Sequence, residues 1–191
     1  MRTTAHFLGA ALLSCFMLSP SGASAQGLKY YVQWTAPAGM TLRGSVIQKG
    51  REGWTQGYSL SHEILLPRDA TGNATGKLQH KPMTMVIDLD AATTSLLTIL
   101  AQNGTIPSVS INCFKTATSG GVETLYYEIN LTDVTIGSIQ TAIGPGVPNS
   151  QFDSADMPSG IISPDMIRAT LYYKRITTTW KSGNATFQGG M

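Results

Sequence analysis

Between Lys77 and Ile136 the apolar and polar positions alternate, break and alternate again, which predicts a strand, one short helix and two further strands. Met83, Met85, Ile87 and Leu89 alternate with Thr84, Val86 and Asp88, the period of a half-buried strand. From about Thr93 to Gln102 the spacing changes. Leu96, Leu97, Ile99 and Leu100 form one broad helical stripe, and so short a helix needs that stripe buried to be stable. Asp90, or a threonine after it, can cap the first turn, and Gly104 suits a left-handed stop. Period two then returns in Val109, Ile111 and Cys113, and again in Leu125, Tyr127, Ile129 and Leu131. Beyond Leu131 the apolar set moves to even positions, Val134 and Ile136, so a bulge is expected near Thr132 and Asp133.

On either side of this block the pattern is also extended. Leu28, Tyr30, Val32 and Trp34 read as a first strand and Met40 to Ile47 as a second, before a polar turn at Gln48 to Gly53. Trp54 to Leu66 is rich in branched and aromatic residues, whereas Pro67 to Gly76 has no apolar period and is expected to be an exposed loop. Gly137 to Asp165, with four prolines, carries no useful period and is expected to be a long loop. Met166 to Trp180 resumes as a strand, and Lys181 to Met191 is small and polar, the composition of a frayed tail. The expected fold is mainly β: a single-domain antiparallel β-barrel of two sheets with one short flanking α-helix, spanning residues 26–180, with a flexible tail at 181–191.

The start of the chain changes the picture of where the barrel resides. Arg2 is followed by a mostly apolar run from Phe7 to Leu18, broken by Pro20 and Gly22, and Ala23, Ser24 and Ala25 match the small-x-small cleavage pattern. A membrane span needs about 20 apolar residues, more than this run supplies. Residues 1–25 are therefore expected to be a signal peptide cut after Ala25, giving a secreted or periplasmic protein with no membrane segment in its mature form. Lipid attachment at Cys15 is the competing reading, for which Leu13 is an awkward fit.

The whole chain of 191 residues has 13 basic and 11 acidic side chains. Without Arg2 the balance is 12 to 11, which offers no electrostatic footprint for nucleic acid. Cys113 is then the one remaining thiol, in phase with Val109 and Ile111, and reads as a small core residue rather than a nucleophile.

Candidate chemistry is sparse. The sequence holds no glycine-rich phosphate loop, zinc-type cysteine spacing, nucleophile elbow or two-histidine helix, so no cofactor or catalytic residue is assigned. Asp88 and Asp90 share a strand face, but Asp90 is better used as a helix cap and Asp88 as a surface residue. His62 and His80 could hold a metal only if folding joined them. A secreted hydrolase built on Asp88, Asp90 or His80 is the weakest of the available readings.

Several stretches, in order, resemble the haemolysin-coregulated protein (Hcp) family, the tube protein of bacterial type VI secretion. They are Leu42 to Ser45, the polar turn before Trp54, Tyr58 to Ser61, Ile87 to Leu97, Tyr126 to Val134, and the closing Ala169 to Trp180. The resemblance covers about Leu28 to Trp180. It implies a non-enzymatic barrel whose protomers close into hexameric rings, the rings stacking into a tube that carries effectors and works with a sheath and a spike. It also implies that the loop from Pro67 to Gly76, with Pro67, Arg68, Asp69 and Asn73, reaches the neighbouring ring. The export signal and the Gly137 to Asp165 segment depart from the family pattern. They motivate the alternative of an exported Hcp-like binding protein with no tube role.

Overall fold

The computed structural model describes residues 29–116, 122–143 and 165–190. The expected signal peptide, Cys15, Leu28 and most of the expected loop before Asp165 lie outside these residues.

Nine strands and one helix follow in the order β1 (Lys29–Thr35), β2 (Thr55–Ser61), β3 (Ile64–Leu65), β4 (Gln79–His80), β5 (Met83–Asp88), α1 (Ala91–Ala101), β6 (Thr105–Thr116), β7 (Glu123–Ile143), β8 (Asp165–Trp180) and β9 (Ala185–Gly190). The main sheet runs β5-β2-β1-β6-β7-β8-β9, and a further pairing of β5 with β8 closes its first six strands into a barrel. The two strands share one side of β8. β5 takes its first half, from Met166 to Leu171, and β9 takes its second half, from Arg175 to Trp180.

The mainly β barrel is thus as expected, and several details differ. Met40 to Ile47 is not a strand. It runs into a loop pinned by Gly44 N donating to Gly53 O at 2.8 Å and Val46 N to Trp54 O at 3.1 Å. A Cβ on Gly44 would stand 2.2 Å from Trp54 O, so glycine is what allows the two segments to meet. Gly137 to Ile143 is the end of β7, not loop: its hydrogen bonds go to β8, and backbone pairing outweighs the missing apolar period. Ala185 to Gly190 is likewise strand, held on β8 from Arg175 to Trp180 rather than frayed.

The helix is capped at Asp90, whose carboxylate accepts from Ala92 N at 2.9 Å while Thr93 Oγ1 accepts from Asp90 N at 3.1 Å. At the other end Asn103, not Gly104, takes the left-handed conformation (φ 49°). Asn103 N donates to Leu100 O and Gly104 N to Ile99 O, which satisfies two carbonyls of the last turn. Ala92, Leu96 and Ile99 join the barrel core, whereas Leu97 stays 43% exposed, so the buried stripe is narrower than expected.

No register slip occurs at Thr132 and Asp133. β7 keeps its partners on both sides there; its slips lie elsewhere, opposite Cys113 and Phe114 of β6 and between Ile136 and Ser138 against β8. The change of face is nevertheless real, and Asp133 makes it by adopting φ 52°. Its neighbours change face at the same level. Ile106, Val134 and Tyr173 form one buried row, Val109, Leu131 and Ile176 the next, with two outward rows between them. Three strands turning together need no inserted residue there, because their ladder is unbroken at that level.

A candidate assembly surface

The segment from Ile64 to His80 leaves the barrel as an arm. Ile64 pairs with His80 and Leu65 with Gln79, and Arg68 bridges to Ala74 nearer the tip. The tip follows from its residues. The Asp69 carboxylate accepts from Thr71 N at 2.9 Å, Thr71 Oγ1 at 2.7 Å and Asn73 N at 2.9 Å. Gly72 supplies the positive φ of 89° that closes the turn, and Arg68 Nη1 caps its carbonyl at 2.7 Å. These hydrogen bonds, the Thr71 hydroxyl first, hold the Asp69 carboxyl below its ordinary range. Arg68, Asp69 and Asn73 are therefore drawn together into one exposed knot, with Pro67 at its root receiving Thr75 N on its carbonyl. Ile64, Leu65 and Leu78 are 36%, 39% and 45% exposed along the stem. More of each of these apolar side chains faces solvent than is usual for the barrel's own residues.

The other sequence candidates fall into structural roles. Tyr58 Oη donates to Asp88, whose carboxyl is pushed up by burial and, less strongly, by the charge of Asp90. Asp90 is spent on the helix cap and on Ser45 N at 3.2 Å. Cys113 is partly buried against the core, and desolvation pushes its thiol up to about 11, so it is kept as the unreactive thiol. Among the described residues no group of three or more histidine, cysteine, aspartate or glutamate side chains could hold a metal.

Folding does join His62 and His80, but around a tyrosine. His62 Nε2 hydrogen-bonds the Tyr173 hydroxyl, and His80 Nδ1 lies 3.2 Å from the same oxygen. Sequence reasoning missed this cluster, because the tyrosine stands about a hundred residues away on β8. A second cluster was missed for the same reason. Arg51 is buried, with its guanidinium 3.5 Å from the Phe114 ring centroid, 4.6 Å from that of Tyr31 and 2.5 Å from Glu123. It fastens the loop before β2 to β6 and β7.

Among the described residues the chain thus presents a closed barrel, one flanking helix and a braced arm with apolar flanks, the architecture of one protein family. A family model described as type VI secretion system effector, Hcp, matches residues 31–180. The chain belongs to the Hcp family. It is 32% identical over 98 residues to a protein of Pseudomonas aeruginosa named major exported protein, a stretch covering 51% of this chain and 56% of that relative. The match thus spans little more than half of that relative's length. Its fold is similar to that of a crystallised Hcp protein, with a TM-score of 0.71 at 19% identity over 85% of this chain and 99% of the other. It is also similar to a variant of the Hcp1 protein from the E. coli EAEC 042 pathovar, with a TM-score of 0.68 at 22% identity over 85% and 98%. The secreted protein Hcp3 from Pseudomonas aeruginosa gives 0.63 at 19% identity over 85% and 97%.

Proposed function

We propose that this chain is a structural, non-enzymatic subunit of a type VI secretion tube. Protomers associate side by side into a closed ring, six-fold by resemblance to the family, and rings stack face to face through the arm. A contact that closes after a fixed rotation gives a ring, and a second, open-ended contact extends it. The observation that carries this reading is the arm, which projects from a finished barrel with Arg68, Asp69 and Asn73 at its tip and exposed Ile64, Leu65 and Leu78 along it. Exposed apolar groups rimmed by polar ones mark protein contact surfaces. Effector cargo, sheath and spike proteins are the partners such a tube would meet.

Export completes the proposal, with a mature chain starting at Gln26 after cleavage behind Ala25; N-terminal sequencing of protein recovered outside the cytoplasm would read Gln26 first. Electron microscopy of the mature protein tests the rest. Rings are expected from the native chain, and from a variant with residues 67–76 replaced by two glycines, but stacked rings only from the native chain. A strict monomer at high concentration, or undiminished stacking by the variant, would overturn the reading.

A further inference from the structure

The arm leaves the barrel at His62 and returns at His80, and both imidazoles close on one hydroxyl. Tyr173 is only 1% exposed and sits in the barrel core, so it is the fixed member of the trio. The two rings stand around it with centroids 5.6 Å and 5.9 Å from the tyrosine ring. β9 lies against His80: a Cβ on Gly189 would lie 2.6 Å from His80 Cε1. His80 is 8% exposed, and its Nε2 is buried with no hydrogen-bond partner.

One arrangement of protons suits this geometry. A phenol donates once and can accept, so it serves two neutral imidazoles if one donates to it and the other accepts from it. A buried orphan donor is rarer than an orphan acceptor, so the unpartnered His80 Nε2 is the bare nitrogen and His80 Nδ1–H donates to Tyr173 Oη. Tyr173 then donates to His62 Nε2. A proton added to His62 destroys the acceptor that Tyr173 uses, and one added to His80 creates a buried N–H with nothing to receive it. Two adjacent imidazolium ions would also repel.

Burial, and then the neighbouring His80, hold the His62 ring below its ordinary range, so its neutral form is the one the fold favours. Among the described residues no salt bridge joins a carboxylate to either ring. On the arm Glu63 and Lys81 flank the histidines and are tied through their backbones, Lys81 N to Glu63 O. On β8, Lys174 faces Asp133 of β7 at 4.0 Å, and Arg175 Nε donates to Thr132 Oγ1 at 3.2 Å. β9 carries no titratable side chain.

We propose that His62, Tyr173 and His80 form an acid-sensitive latch that seats the arm on the barrel at neutral pH and releases it when the His62 imidazole takes up a proton. Because the His62 ring is held low, the stabilisation is complete above the ordinary histidine range near 6.5 and is lost as pH falls through the lower folded value. Its consequence for stacked rings rests on the stacking role proposed above, but the latch itself belongs to a single chain.

The test is hydrogen exchange of the native protein at pH 7.5 and 5.5, corrected for intrinsic rates and followed on peptides from the arm. Residues 62–81 are expected to exchange several-fold faster at the lower pH while β6 and β7 hold. His62→Gln can set an amide oxygen to accept from Tyr173, and His80→Asn an amide nitrogen to donate to it, without a titrating group, so the double variant should lose the acid response. Should it fail to fold, His62→Gln alone, at a half-buried position, must still reduce the response. Equal arm protection at both pH values, or an unchanged response in the variants, overturns the latch. Since exchange is read on the arm whether or not rings stack, failure of the latch and failure of the stacking role give different results.

Discussion

Gly57 on β2 lies under the ring of Tyr30, and replacing it by alanine probes how this barrel wall is packed. A Cβ there would stand 2.0 Å from Tyr30 Cε2 and 2.1 Å from Cζ, well inside contact distance. The ring cannot slide away freely, because its hydroxyl lies 2.6 Å from Ser59 O and 2.8 Å from Val86 O, tying β2 to β5 where the β2 register slips. Overpacking of a filled core costs about 1–3 kcal/mol, and displacing the hydroxyl forfeits a hydrogen bond worth about 1 kcal/mol net. Gly57→Ala should therefore destabilise by roughly 2–4 kcal/mol. Guanidinium unfolding gives the loss directly, and a cycle with Tyr30→Ala identifies its cause. With the ring removed, the added methyl has room, so its cost should fall below about 1 kcal/mol. An equal cost in both backgrounds would show that the ring is not what the methyl strikes, and would refute the packing argument.

Other expectations are as direct. Asp90→Ala removes the helix cap and the tie to Ser45, and should cost about 1–2 kcal/mol in unfolding experiments; a loss near zero would mean the cap is idle. Arg51→Lys keeps the charge but loses the planar contact with Phe114 and the fit to Glu123, so a loss of about 1–2 kcal/mol is expected where charge alone would predict none. Cys113, with its thiol pushed up to about 11, should resist a thiol reagent at pH 8 in the native protein and react fully in denaturant; rapid native labelling would contradict its burial.

Much of the fold could be read from local patterns because the forces involved are local. Period two marks strand faces, and Asp90 followed by Thr93 is a short-range cap. What escaped reading depends on partners distant in the chain. The strand at Gly137 to Ile143 has a poor apolar pattern and exists because β8 pairs with it. The β9 strand has the same origin. The face change at Leu131 and Val134 was visible, but whether an extra residue or a left-handed Asp133 made it depended on β6 and β8 turning at the same level. At the candidate assembly surface, the exposure of Pro67 to Gly76 was legible from composition. The trio of His62, His80 and Tyr173 was not, since no periodicity links three such positions.

The shared corner at Asp133 has a mechanical meaning. β6, β7 and β8 stay paired as all three change face at this level, so the same three ribbons run through both sides of the corner. Pulling on one face must load the other through unbroken covalent backbone. A barrel made this way should give way as a whole or not at all.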